Sequence, residues 1–377
     1  MGRTKYALIV LAAMIALGAC KKDKKEQSKE QPKGESQEQA QQEEPTDPHE
    51  KAKEALGAFE PLPEQFESED NPITPAKVEL GRMLYYEHRL SKTQDMSCNT
   101  CHQLSNGGID PRPASDGEVA ATSMGHGDER GERNSPTVYN AAGQFKQFWD
   151  GRAEDVEEQA KGPITNPIEM GMGGSGEAVT VIKSIPGYQE KFQAAFPDTK
   201  EPITFDNMAL AIGAFERKLV TPSKWDKYLK GDKDALTDEE IEGFNTFVDS
   251  GCTACHNGAL VGGQSFQKLG LVEPWPNQKD KGLYEVTEKE EDLMKFKVPT
   301  LRNITQTAPY FHDGGVETLD EAIRLMAKHQ LGRELSDEQV ASIKTWLETL
   351  DGEVPADYIA KPKLPESGPD TPTPDQG

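Results

Sequence analysis

The chain reads as a mainly α protein of two similar domains, and three observations carry that reading. The pentapeptide Cys-x-x-Cys-His occurs twice, as Cys98-Asn99-Thr100-Cys101-His102 and Cys252-Thr253-Ala254-Cys255-His256. Each copy follows a stretch with helical apolar periodicity and precedes a glycine pair, Gly107-Gly108 or Gly262-Gly263. Strand-like alternation is scarce.

The elements follow in order. Arg3 and Lys5 precede a nearly unbroken apolar run from Ala7 to Ala19, too short to span a bilayer. It closes on Leu17-Gly18-Ala19-Cys20, which is similar to a bacterial lipoprotein signal with Cys20 as the lipidated N-terminus. Residues 1–19 are therefore expected to be removed and the protein to work in the periplasm, lipid-anchored to a bacterial membrane. Residues 20–56 are Lys, Glu, Gln, Ser and Pro with little to bury, and read as a disordered charged tether in which His49 is a bystander. The first domain spans 57–219 and opens its helical part at Thr74-Pro75, with Leu80, Met83 and Leu84 on one face. The second spans 220–352 and opens with the capping box Thr237-x-x-Glu240, followed by Ile241, Phe244, Phe247 and Val248. Further helices are expected over 178–185, 205–219, 319–328 and 337–350. Residues 353–377 form a C-terminal segment that ends in a disordered Pro-rich tail from about Pro362.

The spacing of the pentapeptide has a chemical reason. Two thiols on one helical turn can add to the two vinyl groups of a haem, and the adjacent histidine meets the iron. With 5 Cys and 7 His in 377 residues, one copy arises by chance in roughly one chain per thousand. Two copies read as two covalently bound haem c. A zinc knuckle is the alternative, disfavoured because both pairs carry the immediately following His and lie far apart. The four cysteines left after Cys20 are consumed by two haems, so no disulfide is expected. The fold class is then two class-I cytochrome-c-like domains, with porphyrin supplying part of each core and compensating for a hydrophobic content of 34%. The net charge of -23 becomes -25 once Arg3 and Lys5 leave with the signal, which excludes nucleic acid as a partner.

Several stretches extend the picture. Glu79-Leu80-Gly81-Arg82-Met83-Leu84, Arg133-Asn134-Ser135-Pro136-Thr137, Gln147-Phe148-Trp149-Asp150-Gly151-Arg152 and Gln159-Ala160-Lys161-Gly162-Pro163 are joined by Leu301-Arg302-Asn303 and Thr307-Ala308-Pro309-Tyr310-Phe311-His312. In order and spacing they resemble the bacterial di-haem cytochrome c peroxidases over residues 72–352. The resemblance implies reduction of hydrogen peroxide to water with electrons from a small c-type cytochrome or a cupredoxin. It also implies a C-terminal segment that returns to the first domain.

The resemblance assigns residues as well. His256 and Met326 would ligate the iron of a high-potential, electron-accepting haem, since a thioether favours ferrous iron. Taken alone, Met326 reads as a core residue on a helix capped by Thr318 and Glu321, and His329 one turn on as a surface residue. His102 would carry the peroxide-handling haem, with His126 of Gly125-His126-Gly127 as its removable second ligand. Extra residues around Ala114 to Ser123 depart from the family pattern. Glu169 is implied as the acid/base, in an apolar setting of Pro167, Ile168, Met170 and Met172, and Gln159 as the residue that orients peroxide. Trp149 is implied between the haems, and a Ca2+ ion on the Asn134 side chain with the carbonyls of Thr307 and Pro309. Expected partners are hydrogen peroxide, the electron donor, the membrane through its lipid anchor, and a second copy in a homodimer. Two other readings compete. A di-haem electron carrier has no use for Glu169 and Gln159. A di-haem oxidase that modifies a partner protein carries tyrosine where Met326 stands.

Overall fold

Two pairs of crossing helices organise the described residues, 47–113 and 120–375 of a computed structural model. In chain order the helices are α1 (Pro48–Leu56), α2 (Pro75–Tyr85), α3 (Cys98–Cys101), α4 (Val156–Thr165), α5 (Ser175–Lys183) and α6 (Pro186–Ala195). They continue as α7 (Phe205–Glu216), α8 (Lys224–Leu229), α9 (Asp238–Ser250), α10 (Tyr284–Thr287), α11 (Leu319–Leu331) and α12 (Asp337–Glu348). A single antiparallel pair, β1 (Phe266–Lys268) with β2 (Lys295–Lys297), places Phe266 opposite Lys297. No helix among the described residues is long and apolar enough to cross a membrane.

The anticipated caps form. Thr74 Oγ1 accepts from Lys77 N at 3.2 Å, with Pro75 in the first turn of α2. At α9, Thr237 Oγ1 accepts from Glu240 N at 3.2 Å, while Glu240 Oε2 accepts from Thr237 N at 3.0 Å. Helix α2 crosses α7 at Gly81, where an added Cβ would collide with Ala211 O. Helix α9 crosses α12 at Gly243 in the same way, against Ser342 O. Only glycine lets two helix backbones approach so closely. Four residues after each glycine an aromatic is buried, Tyr85 and Phe247.

Behind the crossings lies a repeat that periodicity does not reveal. A shift of 163 positions (299 minus 136) lays Pro136-Thr137 on Pro299-Thr300, Asn140 on Asn303, Phe148 on Phe311 and Asp150-Gly151 on Asp313-Gly314. The backbone repeats in register. Asn140 and Asn303 have φ of 58° and 59°, and Phe148 and Phe311 have 66° and 69°. Thr137 Oγ1 donates to Gly107 O at 2.6 Å and Thr300 Oγ1 to Leu260 O at 2.7 Å. Asn140 N donates to Leu219 O at 2.8 Å, just past α7, and Asn303 N to Leu350 O at 3.3 Å, just past α12. Asparagine suits the left-handed position because its short side chain bonds locally. Here each one also accepts a backbone N–H, from Thr221 and Gly352.

Two expectations are corrected at the chain ends. The tether was placed over 20–56, yet residues 48–56 form α1, capped by Asp47, which packs on α9. Ala52 is fully buried in a cluster with Phe59, Trp225 and Phe244. His49, read as a bystander rather than a ligand, takes part in this packing: its Nδ1 lies 2.9 Å from Tyr228 Oη and its Nε2 3.2 Å from Asp238 Oδ1. The remainder of the tether, Cys20 and the signal lie outside the described residues, as do residues 114–119.

The C-terminal segment packs against α7, with Tyr358 stacked on Phe215 at 5.2 Å and its hydroxyl donating to Phe215 O. The tail from Pro362, expected to be disordered, instead follows the first half as far as residue 375. Arg89 donates to Pro365 O at 2.9 Å and to Ser367 Oγ at 3.0 Å, and Leu364 packs into the α5–α7 cluster. Proline contributes here because extended chain without internal hydrogen bonds can still be held through its carbonyls.

Candidate active site

Both Cys-x-x-Cys-His motifs end on a histidine turned the same way. His102 Nδ1 donates to Pro136 O at 3.0 Å and His256 Nδ1 to Val261 O at 3.2 Å. A carbonyl on Nδ1 fixes the tautomer and leaves Nε2 as a bare donor atom for a metal. Burial lowers the pKa of both rings, that of His256 to about 4, so both are neutral as ligation requires. Cys98 and Cys101 share the single turn of α3, and Cys252 opens a short 3₁₀ turn directly after α9. All four are free thiols, standing for the sulfurs of thioether links, and burial pushes each pKa upward. Among the described residues no cluster of His, Cys, Asp or Glu forms a metal-binding group.

In the second half a cavity is walled by Cys252, Cys255, His256, Leu269, Phe296 and Met326. Met326 comes from α11, whose cap Thr318 Oγ1 accepts from Glu321 N at 3.3 Å. Lys297 and His312 are among the polar groups that reach this wall, and His312 Nε2 is buried without a partner. An apolar slot with a free imidazole at one side, a buried ammonium and an unpartnered His312 Nε2 on its wall fits a haem with its propionates. His329, expected at the surface, is 5% exposed: its Nδ1 donates to Glu273 O at 3.0 Å, and its ring lies edge-on to Trp275. Position on the polar side of the helix was misleading because the 269–275 loop folds over it.

In the first half, α4 carries Gln159, and the chain after it folds back so that Met170 N reaches Pro163 O and Met172 N reaches Ile164 O. This return places Glu169 in a half-buried loop above the helix. Desolvation raises the pKa of Glu169, opposed by the Arg152 charge and by Asn166 Nδ2, which donates to Glu169 Oε1 at 3.0 Å. Asn166 is itself oriented, since its Oδ1 accepts from Ile168 N at 3.0 Å. Arg152 is held by Asp150 and lies 3.5 Å over the Phe148 ring. Of the four apolar residues expected around Glu169, Met170 and Met172 are buried, Ile168 is half-buried and Pro167 is exposed.

His126 packs on that same loop. Its backbone N donates to Glu169 O at 2.8 Å, and its Nε2 donates to Pro167 O at 2.6 Å. Gly171 makes room, for a Cβ there would collide with the imidazole. Ligation by His126 would require exchanging the Pro167 bond for iron.

Trp149 stands at the seam between the halves. Its Nε1 donates to Asn134 O at 2.9 Å, and its own carbonyl accepts from Lys297 N at 2.8 Å. Asn134, Thr307 and Pro309 converge on one small pocket there.

Sequence reasoning missed Asn166, Arg152, Gln144, Lys297 and the role of His312. The 163-residue repeat was the available signal for the last three, since it pairs Trp149 with His312, Asn134 with Lys297 and Gln144 with Thr307.

Comparison with known proteins accords with these features. The sequence model of the di-haem cytochrome c peroxidase family matches residues 75–234. The chain is 45% identical to the cytochrome c551 peroxidase of Pseudomonas aeruginosa, over 85% of this chain and 91% of that protein. It is 46% identical to the cytochrome c551 peroxidase of Nitrosomonas europaea, over 80% and 90%. Among solved structures, a MauG-like protein associated with microbial copper homeostasis superposes with a TM-score of 0.68 at 28% identity, over 80% of this chain and 97% of the other. The diheme peroxidase BthA of Burkholderia thailandensis shares the fold at a TM-score of 0.64 and 18% identity, over 78% and 92%.

Proposed function

The chain belongs to the di-haem cytochrome c peroxidase family, and from that premise we propose how its residues divide the reduction of hydrogen peroxide to water. Peroxide takes up two electrons and two protons and leaves as two waters. When bound, the haems supply an iron that takes up peroxide and a second iron that stores an electron from a small c-type cytochrome or cupredoxin. Residues 57–219 hold the first haem through Cys98, Cys101 and His102, and residues 220–352 the second through Cys252, Cys255, His256 and Met326. What supports Met326 is that it and His256 line the same cavity.

Glu169 would take a proton from one peroxide oxygen and return it to the other, which leaves as water. The observation that carries this role is its half-buried loop, where burial raises the pKa toward neutrality while Asn166 occupies Oε1 and leaves Oε2 to the substrate. Gln159 orients peroxide by hydrogen bonding, and Trp149 bridges the haems. Asn134 Oδ1 and the Thr307 and Pro309 carbonyls, completed by waters, would hold Ca2+, a hard-oxygen set with no carboxylate. His126 would be the removable second ligand of the first haem, leaving its Pro167 O bond to take that position. Export, lipidation at Cys20 and a periplasmic site complete the proposal, with α1 as the point where the tether meets the folded protein. The decisive experiment is peroxide-dependent oxidation of a reduced small c-type cytochrome by the fully oxidised and half-reduced holoprotein. Oxidation of the donor without peroxide consumption would instead support the electron carrier.

A further inference from the structure

Shifted by 163 positions, Asn134 falls on Lys297 and Gln144 on Thr307. The seam between the halves obeys this exchange. Asn134 N donates to His312 O at 2.8 Å, and Lys297 N donates to Trp149 O at 2.8 Å, while Trp149 and His312 are themselves counterparts. The two halves therefore face each other across a pseudo-dyad. Applied to the pair Asn134 and Thr307, proposed above to hold calcium, the exchange returns Lys297 and Gln144. There the Lys297 ammonium donates to Gln144 Oε1.

Lys297 is 6% exposed, and no carboxylate among the described residues pairs with it. A buried ammonium facing one neutral oxygen is unfavourable unless an anion joins it. It lines the cavity of His256 and Met326, as does His312 with its unpartnered Nε2. The anionic groups that a haem brings to such a wall are its propionates.

We propose that the Lys297 ammonium is a built-in cation at the pseudo-symmetric twin of the calcium position, where it receives a propionate of the second haem and raises that haem's reduction potential. The proposal rests on the reading of Cys252 to His256 as a haem site. One side of the seam then depends on an exchangeable ion, and the other carries its cation in the chain. A fixed positive charge near the iron favours the ferrous state, which suits the electron-accepting haem.

The test uses Lys297→Met and Lys297→Gln as calcium-replete holoproteins, with haem counted by pyridine haemochrome and potentials read by spectroscopic redox titration. Both neutral variants should lower the midpoint of the second haem and leave the first unmoved, while Lys297→Arg should stay near wild type. The propionate bending band in resonance Raman spectra should shift in both neutral variants. If Lys297→Met fails to accumulate, Lys297→Gln retains a polar end for Gln144 and gives the same readout. Two haems attached with midpoint and band unchanged would overturn the proposal and leave the haem reading intact. A wild-type count of one haem would overturn both.

Discussion

The Trp149 indole donates to Asn134 O at 2.9 Å, so the aromatic residue at the seam is tied directly to the residue proposed to hold calcium. Removing calcium should loosen Asn134 and, through this bond, Trp149. We expect half-reduced protein treated with a calcium chelator to keep the EPR spectrum of its first haem in the low-spin, closed form. Added calcium should restore the open form. A spectrum indifferent to chelation would separate the metal from the gate.

Replacement of Met326 by His should lower the midpoint of the second haem by on the order of hundreds of millivolts, within the span that axial ligands command. Imidazole favours ferric iron more than a thioether does. Turnover with a high-potential donor should fall with it. An unchanged titration would identify another residue as the ligand.

Glu169→Gln should keep both haem spectra and donor oxidation but cut peroxide turnover by roughly 10²–10⁴-fold, the scale of acid/base catalysis. Asn166→Ala tests the same group from outside. Asn166 lowers a pKa that burial has raised, so its loss should move the Glu169 pKa further up. A base works deprotonated; the acid limb of kcat/KM against pH should therefore shift to higher pH. A scaled-down profile with the limb in place would mean that Asn166 only supports the loop.

The gate makes a prediction in kinetics. Oxidised wild type should bind cyanide slowly and half-reduced protein quickly, whereas His126→Gly should bind it quickly in both states. The bond from His126 Nε2 to Pro167 O offers the imidazole a place when it does not ligate iron. Rapid binding by the oxidised wild type would show the first iron to be open from the start.

Gly81→Ala should destabilise the protein by about 1–3 kcal/mol or more, because the new methyl meets Ala211 O rather than a movable side chain. Gly243→Ala meets Ser342 O and should behave alike. Thermal unfolding followed by circular dichroism would check both, and a wild-type Tm in either variant would contradict the tight crossing.

By itself the sequence determined the chemistry of the two Cys-x-x-Cys-His motifs, the capped starts of α2 and α9, and the family to which the chain belongs. These are legible because thiol spacing, N-caps and apolar period act over a few residues. Helix α1 and the ordered tail were not legible. Residues 48–56 and 362–375 are polar, and they are held by what they touch, α9 in one case and Arg89 and the α5–α7 cluster in the other. Gln159 was noticed without its helix, since Pro163 and the glycine before it hide α4 from propensity. Only tertiary structure put Asn166 on Glu169, turned His126 to Pro167 O, covered His329 with the 269–275 loop and brought Lys297 beside Gln144. Each of these depends on backbone carbonyls and burial contributed by segments distant in sequence, which no local pattern encodes.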